Sequence, residues 1–491
     1  PDMTGFDAAT LAVNIDRLAE GRVVCVGDVM LDRFVYGEVD RVSPEAPIPV
    51  CRVSNETVML GGAGNVVRNL VAVGAKVDFV SVVGEDDIGA DVELLLRDLH
   101  GVDNTLIGDA TRPTTSKVRY LAGGQQLLRA DREITSPISG DIEDALFMAA
   151  EKHLADAGAL ILSDYSKGVI TDRLAELLIG AAAAADKPVI VDPKSRDFTR
   201  YAGATLITPN LKELSEALEN PPTSEEEIVA AARDLIAKAD IGGILVTRGA
   251  QGMLLVTAIE ADHFPSRARE VFDVSGAGDT VISVLSSGIA AGLPPVEAAQ
   301  LANIAAGVVV GKTGTAVAYA DDLQAELVEI TGEDGPQPPV TLKAALDRVR
   351  SWRDRGERVG FTNGCFDLLH PGHVSLLAQA RANCDRLVVG LNSDSSVKRL
   401  KGESRPTQTQ AARASVLSSL KTVDLVVVFE DDTPERLLQE IKPDVLIKGA
   451  DYTIETVVGA DFVRSYGGTV VLAEIVPGFS TTATIARMNA S

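Results

Sequence analysis

Short apolar runs, each stopped by a Gly, Asp, Asn or Pro, set the strongest limit on how this chain can fold. Before residue 332 they read "RVVCVGD", "VDFVSVVG", "GALILSDY", "KPVIVDP", "ATLITPN" and "GGILVTRG". Each is too short for a free-standing helix and apolar on both alternating faces, the pattern of a strand buried on both sides. Helical stretches such as "DRLAELLIGAAAAA" and "SEEEIVAAARDLIAKA" lie between several of them. That alternation predicts a parallel sheet with helices on both faces. The alanine run 181–185 is then a close-packed helix end. Two stretches break the rhythm, "DRFVYGEVDRVSPEAPIPVCRV" and "TTSKVRYLAGGQQLLRADRE". They read as short polar-apolar strands and together predict a small separate β-sheet, a lid over one end of the domain.

At 491 residues the chain is too long for one ordinary core. The clearest break is "TGEDGPQPPV" at 331–340, acidic and rich in Pro and Gly, as an exposed linker should be. An amphipathic segment follows, with Leu342, Leu346 and Val349 at helical spacing. We therefore expect one domain over 1–332, a linker over 333–340 and a second domain over 341–491. Beyond the linker, "ERVGFTNG", "DRLVVGLNSD", "VDLVVVFED" and "PDVLIKGADY" predict a smaller parallel sheet, with helices after the first two runs. The expected class is α/β throughout.

The 70 acidic and 46 basic residues leave a net charge of −24, which argues against a nucleic-acid partner. A small phosphorylated substrate stays compatible, since a few cations and backbone amides suffice to hold it. The four cysteines show neither metal-ligand nor disulfide spacing, and Cys25 reads as a small buried hydrophobe. The first residues lack the basic and apolar regions of a signal peptide, and no run approaches ~18 uninterrupted apolar residues. A cytoplasmic protein with no membrane partner is expected.

In open parallel sheets ligands bind beyond the carboxyl ends of the strands, and the chemically telling residues fall there. "VFDVSGAGDTVI" sets Gly276, Ala277 and Gly278 before Asp279 and a helical run. Small residues let a ligand approach the backbone, and free N–H groups at a helix start attract anions. Asp279 beside such a site supplies a base, the other part a phosphoryl transfer needs. Taken alone, "GAGD" favours a Gly-rich loop with an aspartate capping its own helix. It is accompanied by "GGAGN" at 61–65, by Asp28 and Asp32 after the first strand, by "NLKE" at 210–213, and by Gly249 and Gly252.

Together these residues resemble the ribokinase-like sugar kinase family over residues 20 to 320. The resemblance implies that Asp279 takes the proton of a sugar hydroxyl attacking the γ-phosphate of ATP. It implies an anion hole at Gly276, Ala277 and Gly278, and sugar contacts at Asp32 and Asn65, with Asp28 a further candidate. Asn210, Leu211, Lys212 and Glu213 match its N-x-x-E motif, which holds the phosphates and, indirectly through Glu213, Mg²⁺. Gly249 and Asn303 fall where the family borders the nucleotide. Asp192 and Lys194 in "VIVDPK" either face a substrate phosphate or form a structural ion pair.

In the second domain "TNGCFDLLHPGH" holds two of the five histidines, His370 and His373. Zinc would need a third and usually a fourth ligand, and no other histidine lies in this domain. Pro371 belongs in a first helical turn, so the pair marks a helix start, with Gly372 leaving room for a ligand. Two imidazoles and a helix N-terminus make a phosphate site. The stretch resembles the H-x-G-H nucleotidyltransferase superfamily, with Asn363, Gly364, Phe366, Asp367, His370, Gly372 and His373 on its signature. Lys448, and Ser480, Thr481 and Thr482 before a last helical stretch, resemble its further phosphate-binding positions. The resemblance implies attack of a sugar phosphate on the α-phosphorus of ATP, with pyrophosphate leaving and His370, His373 and Lys448 neutralising charge.

A ribokinase-like domain with a small β lid, followed by a smaller Rossmann-like nucleotidyltransferase domain, resembles the bifunctional ADP-heptose synthase family of lipopolysaccharide core assembly. "GDVMLDRFVYGEVDRVSPEAPIPV", "LSDYSKGV" and "NSDSSVKRLKGESRP" carry the likeness nearly end to end. It implies phosphorylation of D-glycero-β-D-manno-heptose 7-phosphate at C1, then adenylylation of heptose 1-phosphate, with another enzyme removing the 7-phosphate between. It also implies a homodimer through the kinase lid. The competing expectation keeps both folds but pairs a kinase for another sugar with a cytidylyltransferase for a polyol phosphate. A non-catalytic sugar or nucleotide sensor is a further class, which the retained Asp279 and histidines oppose.

Overall fold

The structure, a computed structural model, describes residues 8–218, 220–266, 274–312, 316–331, 339–354, 356–449, 453 and 456–474. Backbone contacts divide the chain into two compact units, Pro1–Thr331 and Gly332–Ser491.

The first unit holds two sheets. Its strands are β1 (Arg22–Gly27), β2 (Val29–Val42), β3 (Pro49–Gly62), β4 (Lys76–Gly84), β5 (Val102–Asp109), β6 (Ser116–Ala122) and β7 (Gln125–Arg132). They continue with β8 (Ala159–Ser163), β9 (Val189–Asp192), β10 (Leu206–Ile207), β11 (Gly243–Thr247), β12 (Met253–Thr257) and β13 (Ala261–Phe264). The large sheet has nine strands in the order β13-β12-β11-β10-β9-β8-β1-β4-β5. It is parallel from β11 to β5, as the apolar runs predict. The edge differs, because β12 and β13 pair antiparallel. A short 3₁₀ turn, Gly249–Gln251, and Gly252 at φ 81° join β11 to β12, so the chain folds straight back without a crossover α-helix.

Alternation along β1 shows how both faces are filled. Val23 and Cys25 enter one core with the helices Ala63–Ala72, Ala277–Ala290 and Pro295–Val310. Val24 and Val26 enter the other, with Gly140–Leu154, Asp172–Ala184 and Glu225–Ala239. Each such fully buried Val contributes about 1.5–3 kcal/mol over leaving it in water. The second sheet is the expected lid, four strands in the order β3-β2-β6-β7.

Hydroxyls seat the helix Ala277–Ala290 on the helix Ala63–Ala72. Thr280 Oγ1 donates to Asn69 Oδ1 at 2.7 Å and Ser283 Oγ to the Val66 carbonyl at 3.0 Å. Apolar packing alone would leave the helix free to slide; these bonds fix its register. Two glycine-rich loops distant in sequence are thereby held side by side.

The second unit contains one five-stranded sheet, wholly parallel, in the order β16-β15-β14-β17-β18. These strands are β14 (Val359–Gly364), β15 (Arg386–Asn392), β16 (Leu425–Phe429), β17 (Val445–Gly449) and β18 (Thr469–Ala473). Helices follow the first two, as expected, and also β16 and β17, as Glu435–Ile441 and Ala460–Ser465. Those two are too short to show a clear period in the sequence. Among the described residues no helix is long and apolar enough to cross a membrane.

Candidate functional site

In the first unit the helix carrying Asp279 begins at Ala277, and its cap is Gly276 at φ 82°. That left-handed conformation is one a side chain resists, which explains a glycine there. Among the described residues a Cβ on Gly278 would meet nothing within 4 Å, so the helix start leaves room for a ligand there. Asp279 does not cap its own helix. Asn65 Nδ2 donates to its Oδ2 at 2.6 Å, and the Tyr165 hydroxyl donates to its Oδ1. Burial raises the pKa of Asp279, while Asn65, Tyr165 and the nearby Lys194 pull it back.

The residues around it are brought together from separate strands. Asp32 on β2 is buried and accepts from Arg119 of β6 at 2.5 Å, a lid contact absent from the sequence reading. Arg68, one turn along from Asn65, donates to the Asn65 carbonyl-type Oδ1 at 3.0 Å. Asp28 is spoken for. It accepts the backbone N–H groups of Tyr165, Lys167 and Val169 at 2.7, 3.1 and 3.0 Å, so its carboxylate pins the loop after β8. Burial, then Asp164, pushes its pKa up to about 6.

Asn210 and Glu213 form a reciprocal capping box at 2.9 Å each way, opening the short helix Leu211–Glu216. Glu213 also accepts from Lys194, giving the ion pair that was one of two expectations for "DPK". Its partner is Glu213, however, and Asp192 stays buried with its pKa raised by that burial. Lys212 is exposed on the short helix. Gly249 adopts φ 57° with open space beside it, and Asn303 donates to the Pro265 carbonyl at 2.9 Å.

In the second unit β14 runs into the helix Pro371–Ala382, with His370 as cap and Pro371 in the first turn. The two imidazoles stack, and Nδ1 of each is buried with no hydrogen-bond partner among the described residues. A stacked imidazole pair at a helix N-terminus suits an incoming anion. It does not suit zinc, because the only group of three or more potential ligands among the described residues is Asp78, Asp103 and His153. Phe366 lies against His373 and takes φ 44°, a strained conformation for a side-chain-bearing residue. Lys448 Nζ reaches across from β17 to the Asn363 carbonyl at 3.0 Å.

Asp367 is bonded to the 405–408 segment. It accepts from Arg405, from Thr407 N at 2.7 Å and from Gln408 N at 3.2 Å. Burial works against this carboxylate, yet Arg405 and the two amides hold its pKa below the usual range. The organising residue here is Arg413, 1% exposed, which sequence reading passed over. It donates to the carbonyls of Cys365, Asn392 and Gln408 at 2.6, 2.8 and 3.1 Å, and to Asp394 at 2.7 Å. Ser480, Thr481 and Thr482 lie outside the described residues.

An aspartate at an open glycine helix start, beside a parallel sheet with a β lid, is the arrangement of a sugar kinase, and a histidine pair at a helix start that of a nucleotidyltransferase. The profile of pfkB family carbohydrate kinases matches residues 20–322, and the cytidylyltransferase-like profile matches 361–489. The chain belongs to the family of bifunctional proteins called HldE. It is 57% identical to the HldE protein of Paramagnetospirillum magneticum, over 98% of this chain and 99% of the relative. It is 54% identical to that of Caulobacter vibrioides, over 97% and 99%. The fold of the first unit is that of Escherichia coli phosphofructokinase-2 in complex with potassium, at 20% identity and TM-score 0.53, over 63% of this chain and 99% of that one. The chain is thus an ATP-using kinase and a nucleotidyltransferase.

Proposed function

We propose that the first unit phosphorylates D-glycero-β-D-manno-heptose 7-phosphate at C1 with ATP, and that the second transfers AMP from ATP to the heptose 1-phosphate. The observation that carries this is the near end-to-end likeness to HldE proteins in a chain that keeps Asp279 and both histidines at open helix starts. In the kinase, Asp279 accepts the proton of the C1 hydroxyl as its oxygen attacks the γ-phosphorus. The amides of Gly276, Ala277 and Gly278 receive the charge that spreads over the phosphoryl group. Asp32 and Asn65 hold sugar hydroxyls; Asn210, Leu211, Lys212, Glu213, Gly249 and Asn303 border the nucleotide.

In the transferase the nucleophile is already an anion, so positioning and charge neutralisation by His370, His373 and Lys448 carry the step. Asn363, Gly364, Phe366, Asp367 and Gly372 shape that nucleotide site, with Ser480, Thr481 and Thr482 as further phosphate contacts. Mg²⁺ accompanies ATP and offsets triphosphate charge. Both oxygens of Glu213 already accept donors, from Lys194 and from Asn210 N, so Glu213 fits a metal held through water rather than directly.

A homodimer through the lid is supported by its uncovered apolar side chains, among them Val42 at 65%, Ile48 at 57% and Leu128 at 59% exposure. The test gives the whole protein, and halves cut near Gly335, ATP or CTP with a panel of sugar phosphates. Heptose 7-phosphate turnover by the N-terminal half and ATP-dependent pyrophosphate release by the C-terminal half are expected. Asp279→Asn should abolish the first and spare the second. Preference for CTP and a polyol phosphate would instead establish the competing pair of substrates.

A further inference from the structure

The tyrosine of "LSDYSKGV" has no role in the reading above, yet it touches the base. Its hydroxyl donates to Asp279 Oδ1, while Asn65 Nδ2 takes Oδ2 from the other side. Its position is fixed from below. Asp28, 1% exposed, holds the Tyr165 backbone N–H at 2.7 Å and the amides of Lys167 and Val169 just after it. The Lys194 ammonium lies 5.8 Å over the Tyr165 ring.

We propose that Tyr165 is a positioning residue of the kinase reaction, its phenol orienting the Asp279 carboxylate and keeping it anionic for the substrate hydroxyl. The inference rests on Asp279 being the base. A carboxylate oxygen offers two acceptor sites, so Asn65 and Tyr165 leave one on each oxygen for the sugar. In the transfer the sugar oxygen bonds to the γ-phosphorus, the bridging P–O bond breaks with its electron pair going to ADP, and the hydroxyl proton passes to Asp279. Tyr165 keeps its own proton throughout.

Other groups act on the same carboxylate. Lys194, after β9, and Arg68, on the helix behind Asn65, favour its anion. Asp32 on β2, Asp192 on β9 and a Cys25 thiolate on β1 would oppose it. Against that background, loss of the phenol donor moves the base toward its protonated form.

The test is the pH profile of kinase kcat/KM in the full chain. In Tyr165→Phe the acid limb should move up by about one pH unit, with a loss of about ten-fold below it that recovers at high pH. Replacing Tyr165 with 3-fluorotyrosine, a stronger donor, should move the limb down. Recovery of kinase activity at high pH in the same preparation reports that the first unit is intact. An equal loss at every pH, or an acid limb unmoved in both variants, overturns the proposal. Full kinase activity in Asp279→Asn would instead overturn the assignment of the base, a separate result.

Discussion

The imidazoles of His370 and His373 stack with centroids 3.8 Å apart and planes inclined by 19°. Neither can take a proton without repelling a charge on the other. Burial lowers both pKa values, and for His373 burial and then His370 push it down to about 4. The free site is therefore neutral near pH 7, and a bound triphosphate would draw protons onto it. Calorimetry of ATP binding near pH 6.5, in buffers of different ionisation heat, should show proton uptake that His373→Asn diminishes. Heats independent of buffer would remove the pair from the phosphate site.

The same shift links stability to acidity. Unfolded, His373 titrates near 6.5; folded, near 4. Between those values the unfolded chain holds more protons, so stability falls as pH drops through that window and levels below it. The unfolding temperature of the second unit should be lower at pH 5 than at pH 7, and His373→Gln should shrink the difference. An undiminished difference would assign it to other groups.

Arg413 ties the "GCFD" turn to β15 and to the 405–408 segment through three carbonyls. Truncation to Ala strands those acceptors in the interior and should cost about 3 kcal/mol. Arg413→Lys keeps the charge but not the fork. Adenylyl transfer should then fall on the order of 10²-fold through displaced groups, with kinase activity unchanged. Unaltered adenylyl transfer in the Lys variant would reduce Arg413 to a packing residue.

Gly61 makes room for Asp32. A Cβ there would lie 2.1 Å from Asp32 Oδ2, and Arg119 holds the carboxylate from the other side. Gly61→Ala should push Asp32 off its partner and raise KM for the sugar phosphate about ten-fold, a loss of about 1.4 kcal/mol. An unchanged KM would separate Asp32 from sugar binding.

Much of this was legible because buried parallel strands write themselves as apolar runs, and because several glycine-rich loops recur at strand ends, where one alone would read as a helix cap. The antiparallel β12–β13 edge was not, since pairing direction depends on the length of the connection, not on the strand's composition. Asp28 was a further candidate sugar contact by the family resemblance alone; that its carboxylate bonds amides 137 to 141 residues away was not legible. Arg413 sits in "AARAS", where an arginine among small residues reads as a solvated helix face; only the carbonyls converging on it say otherwise. Tyr165 carried a usable signal, a polar aromatic just past an apolar run, and its hydrogen bond to Asp279 spans 114 residues.

That span bears on synthesis. Asn65 and Asp279 are 214 residues apart, and the helix bearing Asp279 also completes the core beside β1. A chain emerging from the ribosome at ~5–20 residues per second holds Asn65 and Tyr165 for many seconds before Asp279, their shared partner, arrives. Until then the carboxylate's two donors face nothing, and the apolar bed for Ala277–Ala290 is bare. The first unit can thus close that core and assemble its kinase site only once Ala277–Ala290 has been made, when synthesis of the unit is almost over.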